Sequence, residues 1–119
     1  MPKVVIRIDL SPTSAVGPGK IRLLELVDES GSISAAARAM KMSYRRAWLL
    51  VDEINGIFKE RAVIAEHGGR AGGGAKLTAF GKELVRRYRA MERDAHAALS
   101  THLAALEAAA SRRKRRESS

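Results

Sequence analysis

Two adjacent arginines, Arg45 and Arg46, follow Ser43 and Tyr44 at the point where a helical pattern begins. Positive charge in a first helical turn opposes the helix dipole by roughly a few tenths of a kcal/mol. Stability alone would place Asp or Glu there, so the residue choice points to an external anion. A guanidinium can fork onto a guanine edge, worth about 1–3 kcal/mol of discrimination, or hold a phosphate. Which of Arg45 and Arg46 takes which role is open. Ser43 can cap its helix and also donate to a phosphate. Tyr44 donates its hydroxyl to a phosphate or lies along a groove wall. Leu49 falls on the outward side, where it touches a thymine methyl or packs on a neighbouring segment. Trp48, at the edge of the same helix, reads as a packing residue that stiffens it.

A second set of basic residues surrounds the glycine-rich stretch HGGRAGGGAK, residues 67–76. It lies between a strand pattern at 62–66 and a short second strand closing at Leu77-Thr78, which predicts a β-hairpin with a glycine tip. Glycines there let the backbone approach DNA, and Arg70 can reach a phosphate or the minor groove. Lys76 and Lys82 are expected phosphate contacts. A nucleotide-binding loop is the rival reading. Gly69 and Gly74 have the required spacing, but Ala75-Lys76 follows where Lys-Ser/Thr should stand, and no helix opens there.

These residues need a scaffold. Val4, Ile6, Ile8 and Leu10 alternate with Lys3, Arg7 and Asp9, the pattern of a half-buried strand. Ser11 to Gly17 reads as a loop. Pro18 suits a first helical turn and Gly31 a stop, predicting a first helix over 18–30. Its Ile21, Leu23, Leu24, Leu26 and Val27 spread wider than one stripe, from which we expect cover on two sides, by its own domain and by a second subunit. Ser32 or Ser34 caps a thin second helix through Ala35-Ala36-Ala37, with Ile33, Ala36 and Met40 inward. Lys41-Met42 makes the turn, Lys41 standing where a strained backbone would suit Gly. The third helix runs from Ser43 to about Phe58, with Ala47, Val51, Ile54 and Phe58 on its core face. Thr78 caps the last helix. Its seam of Leu77, Phe80, Leu84, Tyr88, Met91, Ala95, Leu99, His102 and Leu106 is heptad-like. From 78 to 110 such a helix is roughly 50 Å long at about 1.5 Å per residue, too long for one small domain to cover. The fold class expected is therefore mainly α with a small β wing: a winged helix-turn-helix over residues 1–110, with a dimerisation helix at about 78–110. Residues 111–119 are expected to be a disordered basic tail. The expected dimer contacts are Leu23, Leu26, Tyr88, Met91, Ala95, Leu99, His102 and Leu106.

Charge and composition narrow the function. The 119 residues carry 22 Lys and Arg against 13 Asp and Glu, a formal net charge of +9. The run from Arg112 to Glu117 supplies four of the nine excess charges, so five remain on the folded body. That excess calls for a polyanion, most simply nucleic acid. The absence of cysteine excludes a disulfide framework, a thiolate zinc site and a cysteine nucleophile. His67, His96 and His102 are too scattered for a metal site, and no Ser-His-Asp set or carboxylate pair marks an enzyme. No cofactor is expected. No apolar run approaches about 18 residues, and the N-terminus is not a signal peptide. A cytoplasmic, nucleoid-bound protein without a membrane role is expected.

Three stretches resemble the DNA-binding domain of the molybdate-responsive ModE regulators, itself related to the LysR-type domain: GPGKIRLLELVDESGSISAAARAMKMSYRRAW, the segment Asp52-Glu53-Ile54-Asn55, and GGRAGGGAKLTAFGKEL. A LysR-type wing would carry Phe and paired arginines before its LT motif, which this wing lacks. The resemblance covers roughly Gly17 to Tyr88. It implies a winged helix-turn-helix that dimerises through its first helix and the helix after the wing. It also implies a palindromic operator, with Ser43, Tyr44, Arg45 and Arg46 in the major groove and Arg70 at the wing. Full ModE regulators continue into an oxyanion-binding module. The charged tail here leads us to expect none, and hence constitutive action, a separate sensor protein or a response to a different signal. The competing expectations are an architectural protein that coats DNA with little sequence preference, and an adaptor whose long helix binds another protein.

Overall fold

The computed structural model describes residues 2–66 and 74–111. Two strands, β1 (Ile8–Ser11) and β2 (Ser14–Val16), form an antiparallel hairpin, followed by helices α1 (Pro18–Ser30), α2 (Ile33–Ala39) and α3 (Tyr44–Ile57). A second antiparallel hairpin, β3 (Val63–Glu66) with β4 (Gly74–Leu77), precedes α4 (Ala79–Ala98) and α5 (Ser100–Ala109). This is the expected mainly helical fold with a small β wing.

Local signals set most boundaries. Pro18 opens α1, and Gly31 closes it in the left-handed region at φ 72°, donating its N–H to the Val27 carbonyl. Ser32 Oγ accepts from Ala35 N–H, so of the two possible caps Ser32 is the one used. Lys41 has φ 58°, a conformation that glycine adopts without strain. Ser43 and Thr78 cap α3 and α4 by accepting from the N–H groups of Arg46 and Gly81.

The core gathers Ile21, Leu23, Leu24 and Val27 of α1 with Ala36, Ala37, Ala47, Val51 and Ile54 of the next two helices. Val63, Ala75 and Leu77 of the wing and Tyr88 of α4 complete it. Both sides of α1 are covered by its own chain, through α2 and α3 and through β4 and α4. The wide apolar spread of α1 is thus satisfied without a second subunit, and Leu23 is fully enclosed. Leu23 is accordingly withdrawn as a dimer contact.

Three other expectations change. Residues 11–17 are not a plain loop, because Ser14–Val16 pairs with β1 and buries Val16. Leu10 is exposed, since the register of the hairpin shifts between Asp9 and Ser11 and breaks the alternation that holds from Val4 to Ile8. The last helix is interrupted at Leu99 (φ −99°, ψ 5°), dividing one expected rod into α4 and α5. No residue of α5 is buried. Among the described residues, no helix is long and apolar enough to cross a membrane.

Candidate nucleic-acid interface

The cap on Ser43 fixes how α3 begins. Its hydroxyl occupies the Arg46 N–H at 3.1 Å, and the helical turn then carries Tyr44, Arg45 and Arg46 outward, all exposed. Leu49 follows on the same outward side at 53% exposure. Among the described residues, neither Arg45 nor Arg46 pairs with a carboxylate or donates a side-chain hydrogen bond.

The wing is fixed to α3 by a residue whose role the sequence did not announce. Asn55 Oδ1 accepts from the N–H groups of Ala62 and Val63 at 2.8 and 3.1 Å, and its Nδ2 donates to the Val63 carbonyl at 3.0 Å. One amide thus takes the place of a neighbouring strand for the start of β3. On the far side, Ala75 N–H donates to the Gly31 carbonyl at 3.0 Å. The Thr78 hydroxyl donates to the Arg61 carbonyl at 2.7 Å. Helix α4 approaches so closely that a Cβ on Gly81 would stand 2.2 Å from the Ala62 oxygen. The wing therefore holds a set angle to α3. In the register Ile64↔Lys76, both side chains point outward, while Val63 and Leu77 point into the core.

Between α3 and the wing lies a hollow of about 460 Å³, lined by Tyr44, Trp48, Val51, Arg61 and Ile64 among others. Trp48 is 47% exposed and faces this hollow, so it is not the packed, stiffening residue expected. On the other flank of α3, a hollow of about 370 Å³ brings Arg46 together with Arg7 of the N-terminal segment and Lys20 of α1. Lys20 is committed there, donating to the Ala15 carbonyl at 2.7 Å and pairing with Glu53 at 3.3 Å.

The remaining expected contacts divide. Lys76 is exposed on the outer side of β4. Lys82 is exposed and lines a different hollow, with Arg22, Glu25, Asp28 and Glu29 of α1, away from the hollow between α3 and the wing. Arg70 and the other residues 67–73 lie outside the described residues, as does the basic run 112–119. Of the expected dimer contacts, Tyr88 is fully buried in its own chain, its hydroxyl donating to the Ile6 carbonyl at 2.7 Å, and it is corrected to a core residue. Burial also pushes its phenol above the ordinary value. Leu26 and Ala95 are half-buried; Met91, Leu99, His102 and Leu106 are exposed, Leu106 at 68%.

The α1–α4 face has the opposite electrostatic character. Arg89 forks onto Glu25 at 2.8 and 2.9 Å and reaches Glu92 at 2.7 Å. The Arg89 hydrogen bond holds the Glu25 carboxyl below its ordinary value, against the opposing effect of burial, with Arg22 helping.

No family model matches the chain. Individual relatives do. It is 39% identical over 92 residues to the molybdenum transport protein ModE of Azotobacter vinelandii, across 77% of this chain and 34% of that protein. It is 34% identical over 86 residues to the DNA-binding transcriptional dual regulator ModE of Escherichia coli, across 72% of this chain and 33% of that protein. The chain is a homologue of the ModE proteins. A third relative, the molybdenum-pterin-binding protein MopB of Rhodobacter capsulatus, is 43% identical over 77 residues, across 65% of this chain and 28% of that protein. The chain spans about a third of the length of the ModE and Mop relatives it matches.

Proposed function

We propose that this chain is a winged helix-turn-helix transcription regulator that binds double-stranded DNA in a sequence-specific manner as a homodimer. The observation that carries this reading is the start of α3. Arg45 and Arg46 are exposed there, without a carboxylate partner among the described residues, beside a capped and outward-facing Ser43-Tyr44 pair. Helix α3 enters the major groove. Arg45 and Arg46 fork onto base edges and phosphates, Leu49 meets an apolar base edge, and Lys76 with the wing holds the neighbouring backbone. Basic residues supply salt-sensitive affinity by displacing counterions, and α3 supplies the sequence reading. Dimerisation uses the exposed positions Met91, Leu99, His102 and Leu106, with the half-buried Ala95 and Leu26 joining them. The twofold axis then sets two α3 helices roughly 34 Å apart, one DNA turn, over a palindromic operator. Residues 1–110 act as one unit in the cytoplasm. A separate sensor protein is a further proposed partner.

An architectural protein that coats DNA would use the same charge and fold. Selection of bound duplexes from a random pool, followed by competition against bulk DNA, separates the two. A regulator prefers its selected site by about a thousandfold or more. Equal retention of all sequences would replace the regulator reading by the architectural one.

A further inference from the structure

Tyr44 and Trp48 stand one helical turn apart on the flank of α3 that faces the wing, 56% and 47% exposed. Ile64 lies exposed on the opposite wall of the same hollow, and Val51, Val63 and Ala75 line it as well. Among the described residues, the indole N–H of Trp48 has no hydrogen-bond acceptor. Large aromatic surfaces left in water beside one another mark a contact surface on a domain this small. The polar members of the hollow point the same way. The Asn55 amide is occupied by β3. Arg61 is exposed at the rim and has no ion pair among the described residues. Asp52 is exposed one turn beyond Trp48.

The geometry points to this hollow as the seat of one sugar–phosphate strand of a DNA duplex, with deoxyribose carbons packed on the rings of Trp48 and Tyr44. This rests on the duplex-binding reading above and adds a contact to it. A strand of backbone separates the two grooves of a duplex, so one must pass between a helix in the major groove and a wing on the adjoining groove. The charges fit that occupant. Arg45 belongs to the same exposed end of α3 as Tyr44, and Arg61 stands at the rim, so flanking phosphates meet cations. Asp52 repels a phosphate placed over Trp48, which leaves the apolar sugar edge for the indole. Contact here is apolar and reads no base, so Trp48 contributes affinity on any sequence.

Trp48 is the chain's one tryptophan, and its fluorescence reports this hollow alone. The unmodified chain is titrated at low salt with a labelled mixed-sequence duplex about three helical turns long. Anisotropy follows binding, and acrylamide quenching follows access to the indole. The expected result is binding accompanied by a loss of about half or more of the quenching, as the exposed part of the ring is covered. Trp48→Ala weakens binding about tenfold, as expected for partial cover of that surface. The loss is the same at every salt concentration, because an apolar contact releases no counterions. If the duplex binds while quenching is unchanged, or if Trp48→Ala binds as tightly as the unmodified chain, the strand seat is wrong and the duplex-binding reading stands. If no duplex binds at low salt, the duplex-binding reading falls and the strand seat with it.

Discussion

Along α1 and α4, Arg22, Arg86, Arg87 and Arg89 each reach a carboxylate, at 2.6 to 3.6 Å. At the start of α3, Arg45 and Arg46 reach none among the described residues. The same residue type therefore does two kinds of work in one chain. Where the sequence supplies Glu25, Glu83 and Glu92, arginine ties helices to one another or to themselves. Where it supplies Ser43 and Tyr44, arginine is held out in water by a cap that shapes the turn without neutralising it. Net charge alone would not distinguish these faces. The pairing does, and under the reading proposed above the start of α3 is the face turned to the anion.

That contrast is open to direct attack. The largest effect is expected from Arg45→Ala with Arg46→Ala. With about 1–3 kcal/mol lost at each base or phosphate contact, preference for a selected duplex falls by about a hundredfold or more. Thermal unfolding stays unchanged, because neither side chain holds the fold. Unaltered binding of the double variant would remove α3 from the role of reader.

Arg89→Ala should do the reverse, costing about 1–2 kcal/mol of stability after allowance for solvent screening and leaving the salt dependence of DNA binding in place. Its effect should also depend on pH. The Glu25 carboxyl lies below its ordinary value of 4.5 in the folded chain. The bond's contribution is therefore complete above that value and is lost as pH falls through the lower, folded one. Denaturant curves of the two proteins should differ at neutrality and converge in acid. A gap that persists in acid would show that Arg89 acts by packing instead of by charge.

The smallest effect is expected from Arg86→Ala. Arg86 bonds Glu83 at 2.6 and 2.9 Å, but both side chains are open to solvent, and Arg87 also reaches Glu83 at 2.8 Å. Surface pairs of this kind contribute little. Calorimetry should resolve no shift in unfolding temperature, and titration no change in DNA affinity. A clear loss of affinity would extend the anion-facing surface onto α4 and blur the distinction between the faces.

Much of the framework was legible in the chain. Pro18 and Gly31 bounded α1, Ser43 and Thr78 announced their helices, Lys41 announced a left-handed turn, and the glycine run marked a hairpin. The candidate surface was legible only in part. Arg45, Arg46 and Leu49 fell on the outward side by helical spacing. The exposure of Trp48 could not be read, because it depends on which distant segments pack against the indole. The tie through Asn55 could not be read either, since an Asn inside a helix has no local signature for bonding a strand several residues on. In the seam of the last helix, the positions up to Tyr88 are core, and Met91, Leu99 and Leu106 stand uncovered, although the spacing is the same throughout.

Caps, proline, glycine and periodicity act within one or two turns of chain, so the sequence by itself determined where most helices begin and end and which stripe of each is apolar. Cover is a property of segments far apart. The Ile6 carbonyl takes the hydroxyl of Tyr88, and Gly81 meets Ala62. Only the assembled structure decided that Leu23 and Tyr88 are enclosed, and that two aromatic rings stand open near arginines that have no carboxylate partner among the described residues. The free energy of burial depends on what arrives against a side chain, and no local pattern encodes that.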